Sequence, residues 1–144
     1  MEPLDVVAEL WKRIDARDWD GVARLLAEDL VVDWPVSGER IVGRANFLAV
    51  ADEDTYGEDG SVRLLDIVAD GERVISEVEL RLDHVVYRAV SWWTVRDGRV
   101  VAAREYWTSP GQDPAPRWRA GYVERVEFAP AASAAPAEAL ELTR

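Results

Sequence analysis

The sequence predicts an α+β fold in which helices pack on one face of a curved, largely antiparallel sheet. Three observations predict it. Apolar residues recur at helical spacing in the first part of the chain. From residue 61 onward the pattern changes to extended runs separated by short turns. The last of these turns is Asp97-Gly98 between two long alternating runs, the strongest short-range hairpin signal.

Residues 3–17 read as an amphipathic helix with Leu4, Val7, Ala8, Trp11 and Ile14 on one stripe. Pro3 suits its first turn, where a missing N–H costs nothing. Asp18 can cap a second helix over residues 19–27, whose stripe is Val22, Leu25 and Leu26. Residues 30–36 are a short β-branched run that ends or kinks at Pro35. Residues 37–39 are a turn, Ile41-Val42 leads to Gly43, and a third helix is expected over 44–51. Residues 52–60 are acidic and Gly-containing and read as a loop.

Four strands are expected at 61–69, 73–82, 85–96 and 99–108. Their junctions carry Asp70-Gly71, Asp83-His84 and Asp97-Gly98, and such short links imply antiparallel neighbours. Beyond Pro110 the chain is rich in Pro, Ala and Gly. One short helix is expected within 116–128, with Trp118 and Tyr122 four apart on one face. The division is therefore a domain at 1–128 and an Ala/Pro-rich tail at 129–144. A single sheet covered on its concave side by helices makes a cone with a cavity at its open end.

Composition narrows the function. A chain of 144 residues suits one core. No run is long enough to span a bilayer, and the first residues lack the pattern of a signal peptide, so a cytoplasmic protein is expected. With no cysteine and one His, thiolate zinc sites and multi-histidine metal sites within one chain are excluded. There is no Walker loop, no GxGxxG and no HExxH, and Ser61, Ser76 and Ser91 lack a nucleophile elbow. No cofactor and no metal are expected. A net charge of −11 opposes binding to nucleic acid or to an anionic membrane.

The stretch from Tyr87 to Trp107 is the most informative part of the chain. Ala103, Glu105 and Trp107 share one face of the last strand, and Ala89, Ser91 and Trp93 share one face of the strand before it. If these faces are concave, a carboxyl stands against indole rings in a poorly solvated pocket. Its charged form is then disfavoured and its pKa rises toward a range useful for acid–base chemistry. Otherwise Glu105 pairs with Arg88 or Arg104, or lies on the exposed face.

Asp33 and Trp34 alternate, so only one of them faces the cavity. Asp33 becomes a second catalytic acid if it is the inward residue. Trp34 inside is either a pocket wall or a core residue at the helix–sheet junction. His84 is either an exposed turn residue or a proton shuttle at the cavity mouth. Tyr56 and Trp118 are candidate substrate contacts from loops; the segment 116–119 either closes the mouth or anchors the tail. Glu77 and Glu79 are expected to point outward and meet Arg88 or Arg104. The opposite face of the hairpin, including Arg88, Val90 and Trp92, is too apolar for open water and predicts a homodimer through the convex sheet.

Four strings carry a family resemblance: Asp18-Trp19-Asp20-Gly21, then LLAEDLVVDWPVSGERIVGR, then the Asp97-Gly98 hairpin, then REYW. In order and spacing they resemble the nuclear transport factor 2-like superfamily, and within it the SnoaL-like group of polyketide cyclases, over residues 4–107. The resemblance implies a cystatin-like α+β barrel: a cone-shaped antiparallel or mixed sheet whose concave face is covered by three N-terminal helices. It also implies a homodimer through the convex face.

This fold hosts isomerases, dehydratases, cyclases, epoxide hydrolases and non-catalytic binders. Compared with the ketosteroid isomerases, Trp34, Leu10 and Ser91 stand where that family has its base, its oxyanion tyrosine and its protonated aspartate. That chemistry is therefore not expected. Compared with the SnoaL-type cyclases, Glu105 takes the position of the acid on the last strand and Ser91 that of the His on the penultimate strand.

The expected function is a cofactor-independent acid/base enzyme of cyclase, isomerase, dehydratase or hydrolase type, acting on an apolar cyclic or polyketide-like molecule. Glu105 and Asp33 are its candidate acids; Trp34, Trp93, Trp107, Ser91, Tyr56 and Trp118 are its candidate substrate contacts. The alternative is a non-catalytic ligand-binding or accessory dimerisation domain of the same fold.

Overall fold

The computed structural model describes residues 1–52 and 60–127. Its first helix, α1 (Pro3–Asp15), buries Val6, Val7, Leu10, Trp11 and Ile14, one continuous apolar stripe. Lys12 and Arg13 in its last turn complement the helix dipole. The helix stops two residues before the expected end. Arg17 takes a left-handed φ of 57°, and Arg13 reaches across the break to Asp18 at 2.5 Å.

Asp18 caps α2 (Trp19–Arg24) as expected, its Oδ1 accepting the Gly21 N–H at 3.0 Å. This helix is shorter than its apolar stripe suggests. Leu26 is drawn into a strand, β1 (Leu26–Trp34), because the Val100 N–H donates to the Leu25 carbonyl at 2.8 Å and Leu26 pairs with Val100. The strand thus begins four residues earlier than expected. It ends at Trp34, before Pro35, which has no N–H to offer a ladder. A turn closed by the Gly38 N–H on the Trp34 carbonyl leads into β2 (Glu39–Val42), antiparallel to β1. The third helix, α3 (Arg44–Val50), follows.

The rest is a meander: β3 (Ser61–Asp70), β4 (Arg73–Leu82), β5 (Val85–Arg96) and β6 (Arg99–Thr108). Two of its turns have both central residues at positive φ, which matches the right-handed twist of the flanking strands. Asp97 (54°) and Gly98 (76°) make one; Asp83 (51°) and His84 (64°) make the other without a glycine. Asp and His are among the residues that tolerate this region best.

The strand order is β2-β1-β6-β5-β4-β3. Every neighbour is antiparallel except β1 and β6, which run parallel, so the sheet is mixed. Irregularities in β1, β3 and the β5–β6 pair interrupt the ladders, and such bulges increase local twist.

Helix α1 touches β3, β4, β5 and β6, and so covers the inner face of the sheet. At this contact Trp11 meets Trp93 edge-on, with ring centroids 5.7 Å apart. Both indoles donate to one acceptor, the Ser76 hydroxyl, at 3.1 and 2.8 Å. The Asp15 carboxylate accepts the Val62 N–H at 2.8 Å and ties the end of α1 to β3, and burial holds its pKa above the ordinary value. No helix among the described residues is long and apolar enough to cross a membrane.

The helix expected within 116–128 is a single 3-10 turn, Arg117–Gly121. Its aromatic face does not bury: Trp118 is 72% and Tyr122 85% exposed. The residues 53–59 and 128–144 lie outside the described part, and with them Tyr56 and the Ala/Pro-rich tail.

Ser76 is the shared acceptor for two buried donors. Ser76→Ala is expected to destabilise the protein by about 2–3 kcal/mol, more than the loss of one hydroxyl at the surface. Chemical denaturation at neutral pH checks this; a change under about 0.5 kcal/mol would mean that the two indoles find other acceptors at no cost.

Candidate functional site

The inward faces of the last three strands follow from strand alternation. On β6 they are Ala103, Glu105 and Trp107; on β5, Tyr87, Ala89, Ser91 and Trp93; on β4, Ser76, Val78, Leu80 and Leu82. The register sets Ser91 directly opposite Glu105 and Ala89 opposite Trp107. Deep between the layers this face is sealed by α1. Toward the other end it opens into a cavity of about 370 Å³.

Glu105, Trp34 and Trp107 line the base of that cavity. Leu80, Leu82 and Tyr87 are its wall, and Val36, Ser37 and Glu39 from the β1–β2 hairpin are its rim. Its size is near the lower end of the roughly 300–1,000 Å³ typical of small-molecule sites, and its lining is mostly apolar, as such sites are.

Glu105 is 1% exposed. Its Oε1 accepts the Trp34 indole N–H at 2.9 Å, and its Oε2 accepts the Ser91 hydroxyl at 2.7 Å. Burial pushes its pKa above the ordinary value; the hydrogen bonds from Ser91, Trp34 and Trp107 favour the ionised form and offset part of that rise. The partners are neutral donors, not bases. Arg88 bonds Glu79 at 3.4 Å on the outer face, and Arg104 lies over Trp92 at 5.1 Å, so neither meets Glu105. The carboxyl is thus oriented by fixed donors, poorly solvated and open to the cavity.

Of the expected site residues, Glu105, Trp34 and Trp107 line one cavity, and Ser91 stands behind them as a positioning group. Four expectations are corrected or fall outside. Asp33 points to the other face of β1, where Arg40 holds it at 2.6 and 3.1 Å and keeps its pKa below the ordinary value. The register therefore has Trp34 inward, and Asp33 does not reach the cavity.

Trp93 shares the inward face, but α1 covers it. It is 1% exposed and packs on Trp11, so it belongs to the core. Trp118 stands in solvent and does not line the cavity. Tyr56 lies outside the described residues.

His84 is exposed on its turn and is not among the residues that line the cavity. Glu79 lies on the outer face and bonds Arg88 across the strands, as expected; it is also 2% exposed, and Arg81 at 3.1 Å compensates it as well.

Sequence reasoning missed Tyr87, Leu80 and Leu82, although the alternation that selects Ser91 also selects Tyr87 two turns of the pleat away. It also missed Ser37 and Glu39, which reach the cavity only because the β1–β2 hairpin folds over it. Among the described residues no group of His, Asp and Glu could hold a metal ion.

The elevated pKa of Glu105 has a signed consequence. A carboxyl whose native pKa lies above its ordinary value, here 4.5, stabilises the native state fully below the unfolded-state pKa. That contribution is lost as pH rises through the native value. Wild-type melting temperature is expected to fall over this window relative to Glu105→Gln, which has no titrating group there. Thermal unfolding across pH checks it; parallel curves for the two proteins would contradict the burial effect.

Comparison with known proteins places this geometry. The family model of the SnoaL-like domain matches residues 7–103. A proposed ketosteroid isomerase from Kribbella flavida is 30% identical, with 87% of this chain and 90% of that chain covered and a TM-score of 0.77. An NTF-2 like protein of unknown function from Burkholderia xenovorans is 28% identical, with 85% and 94% covered and a TM-score of 0.71. IdmH, a proposed polyketide cyclase from Streptomyces antibioticus, shares the fold at 21% identity, with 74% and 92% covered and a TM-score of 0.67. Among curated proteins none matches the chain. The family model spans more than half of the chain, and with the mixed six-stranded sheet it makes this chain a member of the SnoaL-like domain family, with the NTF2-like α+β fold.

Proposed function

We propose that this protein is a cofactor-independent acid/base enzyme of the cyclase, isomerase, dehydratase or hydrolase type. Its substrate is an apolar molecule, cyclic or polyketide-like, of a size to fill the cavity. The observation that carries the reading is Glu105: a buried carboxyl with raised pKa, neutral hydrogen-bond donors on both oxygens, and a face on an apolar cavity. Perturbed acids in clefts are candidates for proton transfer.

One carboxyl suffices for the simplest such reaction. Its ionised form takes a proton from a substrate carbon or oxygen, leaving the electron pair on the substrate. The resulting carboxylic acid then returns that proton to a second atom. The bonds from Trp34 and Ser91 fix the carboxyl plane, so the proton moves without reorganising solvent. Trp34, Tyr87 and Trp107 would hold the substrate by ring contact.

The likeness to a proposed ketosteroid isomerase does not extend that name to this chain. Leu10 is fully buried under the sheet, and Trp34 and Ser91 stand as donors to Glu105. Proton transfer would run from β6 instead.

Glu105→Gln keeps the shape of the side chain and removes its proton chemistry. It is expected to lower turnover by about 10²–10⁴-fold on the substrate identified from a copurifying ligand, with binding retained. His84→Ala is expected to leave turnover unchanged. Full activity in the Gln variant would instead support a non-catalytic binder.

The same reading includes a homodimer through the convex sheet. Support comes from the outer face, where Trp92 meets Tyr106 edge-on at 5.9 Å and carries Arg104 on its ring, beside Val90 and Arg88. Tyr106 remains 37% and Val68 54% exposed there. Sedimentation is expected to give a dimer for the wild type and a monomer for Trp92→Glu; a monomeric wild type would count against the interface.

A further inference from the structure

We propose that the cavity selects an apolar molecule bearing a protonated amine, with the carboxyls of Glu39 and Glu105 as its polar contacts. This inference rests on the reading of the cavity as a small-molecule site and narrows the substrate class. Among the described residues that line it, two carry carboxyls and none is Lys, Arg or His. Three are aromatic: Trp34, Tyr87 and Trp107. Aromatic faces attract a cation through their quadrupole, most strongly where water is excluded.

The two acids come from different strands of the lining. Glu105 lies at the base, bonded to the Trp34 indole at 2.9 Å. Glu39 lies at the rim, directly opposite Trp34 in the β1–β2 register, with its Oε1 accepting the Ser37 hydroxyl at 2.6 Å. The lining thus offers an ammonium group two carboxyls and the Trp34 ring, and offers its apolar part Leu80 and Leu82.

The neighbouring guanidinium groups serve the opposite face. Arg40 is held by Asp33, Arg88 bonds Glu79, and Arg104 covers Trp92. None of them lines the cavity to receive a carboxylate or phosphate. An anionic ligand would find two carboxyls and no cation to pair with, and an unpaired charge is costly in a site of low polarity. The net charge of −11 acts in the same direction at longer range.

The test is equilibrium binding to the full chain by titration calorimetry at neutral pH. The probes are phenylbutylamine, phenylbutanol and phenylbutanoate, which share a ring and linker and differ in end-group charge. The amine is expected to bind at least about tenfold more tightly than the carboxylate, with the alcohol between them. Glu39 is exposed, so Glu39→Gln keeps the fold and is expected to shrink the gap between amine and alcohol severalfold. Carboxylate or alcohol binding as tightly as the amine, or no amine binding at millimolar concentration, would overturn the proposal. Turnover by Glu105→Gln tests catalysis independently: charge selectivity is read at equilibrium, so either result can fail while the other stands.

Discussion

The cavity depends on β1 lying parallel to β6. Val32 sits opposite Ala103 and Asp33 opposite Arg104, which carries Trp34 to the end of the pair beside Glu105. The indole N–H reaches the carboxyl only from this register. A slip of one residue would exchange the faces, bringing Asp33 inward and removing the donor from Glu105. The same pairing leaves the β1–β2 hairpin projecting over the open end of the sheet, where it supplies the rim.

Glu105 is then sheltered by consequence. The sheet curves, α1 seals the deep end with Trp11 on Trp93, and the shallow end stays open. A carboxyl buried in this way would be costly if its oxygens lacked donors. Ser91 and Trp34 each satisfy one oxygen. Burial raises the pKa while these bonds moderate the rise and fix the orientation of the group. The two faces of the sheet also differ in charge management. Ion pairs and cation–ring contacts gather outside, at Glu79, Arg88, Arg104 and Asp33, while neutral donors serve Glu105 inside.

Local signals were legible in the amino-acid sequence. The Asp97-Gly98 turn sets Arg96 opposite Arg99 and Val95 opposite Val100, but a bulge between Thr94 and Val95 then shifts the register by one, so the pairing of Ser91 with Glu105 was legible through the family resemblance and not from the turn. The strands β4, β5 and β6 have the bounds their turn residues predict. Segments whose state is decided by distant partners were read less well. Leu26 continues a helical stripe in sequence but joins a strand because Val100, far along the chain, pairs with it. Trp118 and Tyr122 have helical spacing, yet too little apolar surface flanks them to bury a helix there.

The α+β order, the family and which residues share a strand face were legible from the residues alone, because alternation and turn chemistry act over short stretches of chain. Only the tertiary structure decided which inward residues are core and which are cavity. Trp93 and Trp107 share one face of the sheet, but α1 lies over the first and not the second. It also decided that Asp33 faces out to Arg40 and that Ser37 and Glu39 reach the rim. These outcomes depend on contacts between segments far apart in the chain, and no local pattern encodes how such segments overlap.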